Sequence, residues 1–70
     1  MRIELRRVVE DKSTKVIKVD KRVYWQVVLV GTNMERIQDN MVSQEAFAKA
    51  EASYWSQLLG WPIVHVEVSK

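Results

Sequence analysis

Arg22–Val30, RVYWQVVLV, is the one long apolar run in this 70-residue chain, and it is rich in β-branched and aromatic side chains. Such residues suit a pleated, half-buried surface, so the run reads as the central strand of a small sheet. Side chains alternate across a strand. That sets Val23, Trp25, Val27 and Leu29 on one face, and Tyr24, Gln26, Val28 and Val30 on the other. Gln26 interrupts the second set, so the first set is expected in the core.

On the N-terminal side, Arg2–Val9 alternates in part. Ile3, Leu5 and Val9 share one face, and Arg2, Glu4 and Arg6 share the other, the period of a strand with one side buried. Glu10 to Ser13 is polar and suits a turn. Thr14–Val19 returns as a second strand, and Asp20-Lys21 turns into the central run. On the C-terminal side, Gly31-Thr32-Asn33 supplies a turn, because Gly and Asn tolerate positive φ. Glu35–Val42 reads as a weaker fourth strand or a loop, with Ile37 and Met41 inward and Arg36, Gln38 and Asn40 outward.

Ser43 is placed to cap a helix, with Glu45 where the helix dipole favours an acid. QEAFAKAEASYWSQLL, residues 44–59, contains strong helix formers and no breaker. Phe47, Ala50, Tyr54 and Leu58 form a stripe expected to lie on the sheet. Glu45 and Lys49 are an i,i+4 pair on the opposite side. Gly60 suits a left-handed helix end, and Pro62 prevents resumption. Ile63–Val68 is a last strand, with Val64, Val66 and Val68 inward and His65 and Glu67 outward. The order is β-β-β-(β)-α-β. It predicts a single α+β domain over residues 1–70: a mainly antiparallel sheet of four to five strands with one helix packed on one face.

Composition narrows the function. There is no cysteine, and His65 is the one histidine, so neither a disulfide framework nor a metal site is expected. A domain this small has little core, and of the usual staples only oligomerisation is left. No apolar run approaches the ~20 residues that span a bilayer, and the start is not that of a signal peptide. A soluble cytoplasmic protein is expected, with no membrane partner. Net charge is +2, but residues 1–22 carry +4 and the remainder −2. Such asymmetry steers an anionic partner to one side.

Chemistry motifs are sparse. His65 and Glu67 alternate onto one face of a strand, but no nucleophile accompanies them. Gly31 and Gly60 stand alone, so no phosphate-cradling loop forms. No enzyme activity, cofactor or small-molecule substrate is expected. If Trp25 faces the helix, the open sheet face presents Arg2, Arg6, Lys18, Tyr24, Gln26 and Arg36, with Gln38 and His65 beside them. Basic side chains gain affinity by releasing counterions from phosphates, and an exposed aromatic on a sheet stacks an unpaired base. Nucleic-acid binding is the leading expectation, weighed against a charged, solvated hairpin.

A second apolar stripe on the helix, Ala48, Ala52, Trp55 and Leu59, is one more than a helix lying on a single sheet needs, and is either core or an exposed patch. A Trp–Leu patch of that kind marks an interface, for a host protein or a second copy. The bland alternative is that Trp55 folds against Trp61 and the strand ends. A homodimer through the open sheet face, hiding Tyr24 and Val28, is a third arrangement.

Residues 24–68 show a wider pattern: YWQVV, a hairpin, then Ser43, Glu45, Ala46 and Ala50 opening a helix, a glycine, and a Val-alternating strand. This resembles the small coliphage inhibitors of bacterial RNA polymerase and the three-strand-plus-helix arm-site DNA-binding domains of phage integrases. The integrase-type domain usually lacks the final strand, and the inhibitors' binding arginines have no counterpart here, so no functional residue carries over. The resemblance implies a phage or mobile-element accessory protein.

Overall fold

The computed structural model describes residues 1–11 and 21–69. Among them run β1 (Arg2–Asp11), β2 (Lys21–Val30), β3 (Arg36–Val42), α1 (Glu45–Leu59) and β4 (Ile63–Ser69). The expected strand Thr14–Val19 lies outside the described residues. The sheet order is β3-β2-β1-β4. β2 is antiparallel to both β1 and β3, while β4 lies parallel to β1. The fold is α+β, a four-strand mixed sheet with one helix against it, and residues 36–42 are a strand.

The topology explains the helix. β3 and β4 run the same way on opposite edges of the sheet, so the connection between them must cross a whole face. That crossing is α1. Beneath it lie Ile3 and Leu5 of β1 and Val27 and Leu29 of β2, closed from above by Ala48 and Ala52. Trp25, Val42, Trp55, Trp61 and Ile63 pack around this centre. The Trp25 set therefore faces the helix, as its alternation requires, although Val23 is beyond cover and exposed. Each large aliphatic side chain buried here contributes about 1.5–3 kcal/mol.

The helix docks by the opposite stripe from the one expected. Phe47, Tyr54 and Leu58 are 63%, 59% and 61% exposed, while Ala48 and Ala52 are buried and Trp55 packs on the core. The proposed interface of Ala52, Trp55 and Leu59 is thus corrected: Ala52 and Trp55 serve the core, and only Leu59, at the helix end, is exposed. Large side chains already fill the sheet face, so close approach of the helix backbone needs alanines at the contact.

The helix ends also differ from expectation at one terminus. Gln44, not Ser43, is the N-cap, and it makes no side-chain cap bond. Its carbonyl accepts the first helical bond, from the Ala48 N–H at 3.1 Å. Glu45 and Lys49 pair at 3.0 Å. Gly60 closes the helix at φ 71°, donating its N–H to the Ser56 carbonyl at 2.8 Å. The Ser56 hydroxyl donates to the Trp61 carbonyl at 2.7 Å, and the Pro62 carbonyl accepts from the Ile3 N–H at 2.9 Å. These bonds carry the chain from the helix into β4.

Two strands present the reverse of the expected faces. A bulge between Leu29 and Val30 resets β3, so that Gln38, Asn40 and Val42 oppose Leu29, Val27 and Trp25 on the helix side. Ile37 and Met41 point to the other side, 58% and 70% exposed, and not inward. In β4, Ile63, His65 and Glu67 sit beside Ile3, Leu5 and Arg7. His65 and Glu67 therefore face the helix layer, and Val64, Val66 and Val68 lie on the open face.

Candidate functional site

The face of the sheet away from α1 has no secondary-structure element over it among the described residues. Its cross-strand rows follow from the registers. Val28 of β2 meets Glu4 of β1 and Val64 of β4; Gln26 meets Arg6 and Val66; Tyr24 meets Val8 and Val68. Asp39 and Met41 of β3 extend the first two rows. Val8, Val28 and Val30 are buried on this face, and Arg6, Tyr24, Gln26, Val66 and Val68 are half-buried. The result is an apolar floor crossed by long polar side chains.

Two of the arginines on this face are already paired. Arg2 pairs with Glu4 at 2.8 Å, and Arg36 pairs with Asp39 at 3.3 Å. The Tyr24 hydroxyl donates to Glu10 at 3.1 Å. Arg22, at the exposed end of the face, and Arg6, at its middle, have no such pairing among the described residues; Arg6 is the half-buried one. It makes no hydrogen bond or ion pair among the described residues, and its Nε is buried without an acceptor. Burying a donor unmet costs about 1–3 kcal/mol, more when it is charged. A guanidinium offers donors in a planar fork that fits a carboxylate or phosphate. Arg6 stands at the middle of the face, between Gln26 and Val66, so an oxyanion arriving there meets a preformed partner.

On the helix side, Leu5, Arg7, Trp25, Glu45, Lys49, His65, Val66 and Glu67 line a cleft of about 150 Å³. Small-molecule sites run to roughly 300–1,000 Å³, so this cleft is too small for a ligand of ordinary size. Its charges are also matched, Lys49 with Glu45 and Arg7 with Glu67, the latter at 3.9 Å. Among the described residues no three His, Cys, Asp or Glu side chains gather as metal ligands. No described helix is long and apolar enough to cross a membrane.

Of the residues expected to bind nucleic acid, Arg2, Arg6, Tyr24, Gln26 and Arg36 share the open face, and Lys18 lies outside the described residues. Gln38 and His65, expected beside them, are on the helix side, opposite Leu29 and Leu5. Sequence reasoning missed two features of the face: Glu4, Glu10 and Asp39 offset its arginines, and Val64, Val66 and Val68 floor one side of it. The first was readable, since Glu4 alternates with Arg2 and Arg6. The second required the pairing partner of β4. This chain matches no protein-family model, no curated protein and no solved structure.

Proposed function

We propose that this chain is a non-catalytic binding module that takes single-stranded nucleic acid on its open sheet face, with Arg6 as the anchor. The observation that carries the reading is Arg6 at the centre of that face, whose Nε is buried with no acceptor among the described residues. A phosphate offers the guanidinium fork of Arg6 an acceptor. Gln26 offers an amide donor and acceptor in the same row, and Tyr24 lies one row along. The open rows end at Arg22, which continues in sequence to Lys21, Lys18, Lys15 and Lys12. That charge attracts a polyanion at long range. A role in a phage or mobile element rests on the resemblance alone.

One observation favours a second reading. Glu4, Glu10 and Asp39 share the face, and carboxylates repel a phosphate backbone. A protein partner presenting an acidic side chain to Arg6 tolerates them better.

The test is fluorescence anisotropy of labelled oligonucleotides, single- and double-stranded, at low and moderate salt. Labelled nucleic acid is preferred to intrinsic fluorescence because Trp25 and Trp55 pack on the helix side. Saturable single-strand binding that falls steeply with salt, and that Arg6→Met weakens at least tenfold, supports the proposal. Absence of binding at low salt removes it, and attention then passes to a protein partner.

A further inference from the structure

We infer that the free edge of β3, together with the outer flank of α1, is the contact for a second copy of this chain. β3 is the edge strand next to β2, so one side of its backbone is unpaired among the described residues. Exposed edges of this kind invite another strand. Above the edge leans a row of large apolar side chains. Glu51 points from the helix to β3, where it accepts a hydrogen bond from Asn40. Phe47, Tyr54 and Leu58 lie at i−4, i+3 and i+7 from Glu51, the same side of the helix. Below the edge, on the open face, stand Ile37 and Met41. A strand added here must therefore be apolar towards both layers.

A second β3 meets that demand residue by residue. Antiparallel pairing about a two-fold axis at Asp39 sets Ile37 opposite the partner's Met41, and Met41 opposite the partner's Ile37. On the helix side it sets Gln38 opposite the partner's Asn40, two amides able to bond each other. Moving the axis to Gln38 puts Ile37 against a carboxylate, Asp39, and Met41 against Glu35. Moving it to Asn40 puts Met41 against Asp39. Of these three registers, only the one centred on Asp39 matches both apolar residues with apolar partners. The two carboxylates that then meet are each held by their own Arg36, so the cluster at the axis has no net charge. The contact is isologous, as a closed two-fold dimer requires, and it joins two sheets into one of eight strands. It also supplies what this chain lacks, since there is no cysteine for a disulfide and the helix covers the sheet with two buried alanines. The inference does not depend on what the open face binds.

Sedimentation equilibrium on the full chain tests it. The expected mass is twice 8.2 kDa, and Met41→Lys is expected to return the monomer with an unchanged far-ultraviolet spectrum, because Met41 is exposed. Disulfide trapping gives a second, independent reading, because the native chain has no thiol. Asp39→Cys is expected to form a covalent dimer under mild oxidation, and Gln57→Cys, on another side of the helix, is not. A wild-type monomer at high micromolar concentration overturns the inference. So does a dimer that Met41→Lys leaves intact, or equal crosslinking at positions 39 and 57.

Discussion

Asn40 Nδ2 donates to Glu51 Oε1 at 2.5 Å, joining the edge strand β3 to the middle of the helix. It is the one side-chain hydrogen bond between helix and sheet among the described residues, and it fixes the roll of α1 about its own axis. With Glu51 turned to β3, Ala48 and Ala52 fall on the core, and Phe47, Tyr54 and Leu58 fall outside. A double-mutant cycle with Asn40→Ala and Glu51→Ala is expected to give a coupling of about 1 kcal/mol, within the range for a partly exposed bond to a charged group. Chemical denaturation of the four proteins measures it, and a coupling near zero would show that packing alone sets the roll.

The stripe that docks is tested with one substitution at two places. Ala52→Leu inserts volume where the helix meets Val27 and Leu29, and is expected to destabilise by roughly 1–3 kcal/mol. Ala46→Leu, in the same helix but exposed, is expected to change stability by no more than about 0.5 kcal/mol. Equal losses at both positions would contradict the docking described above.

Gly60 is left-handed at φ 71°, and a Cβ there meets nothing within 4 Å. Any cost of Gly60→Ala is therefore conformational and not steric, about 1–2 kcal/mol. Gly60→Asn, a residue that visits this region more readily, is expected to lose less. Thermal melts of the three proteins rank them, and a Gly60→Asn protein less stable than Gly60→Ala would refute the explanation.

Gly31 is constrained differently. A Cβ there would run into the Glu35 carboxylate and lie 3.2 Å from Ile37 Cδ1. Glu35 is held in place because it accepts from the Asn33 N–H at 2.9 Å. Gly31→Ala must push Glu35 aside and break that turn bond. Its cost is expected to shrink in a Glu35→Ala background, where nothing is displaced. Denaturation of the single and double variants reads the difference; an unchanged cost would point to Ile37 instead.

Arg6 sets function against stability. Its buried Nε has no acceptor among the described residues, so Arg6→Met keeps the aliphatic length and removes the unmet donor. Stability is expected to rise by up to about 1 kcal/mol, while oligonucleotide affinity falls. A destabilised Arg6→Met would mean that the guanidinium has a partner within the fold.

The parts legible in sequence were those where one pattern had one meaning. RVYWQVVLV offers a single sensible core face, and the structure buries Val27 and Leu29 on it. Gly60 and Pro62 likewise had few roles to choose from. The helix was harder, because it carries two apolar stripes, and side-chain size favours the one with Phe47, Tyr54 and Leu58. The sheet beneath was already filled by Trp25, Leu29 and Leu5, so the space above it suited alanine. That is a property of two surfaces together, invisible along one strand of text. β3 inverted because a bulge shifts alternation by one residue, and the bulge at Val30 has no residue signature. In β4 the valines suggested core, yet pairing beside β1 placed Ile63, and not Val64, in line with Ile3. On the open face the arginines were found, but their neutralisation depends on which acids stand across and along the strands.

The parallel pairing of β1 with β4 has a consequence for how this protein comes into being. Ile3 lies beside Ile63, so the innermost rows of the sheet join residues sixty positions apart. The β1–β2 and β2–β3 ladders are local and can form as soon as their strands exist. β1 remains an unguarded edge until the helix has crossed the face and the last strand arrives. Contacts of such span fold slowly, since chain entropy is lost before they form. During synthesis β4 is made after the other three strands and the helix, and until then Ile3 and Leu5 have an open flank. The nascent chain therefore spends its vulnerable interval with its central strand exposed, and β4 acts as the latch.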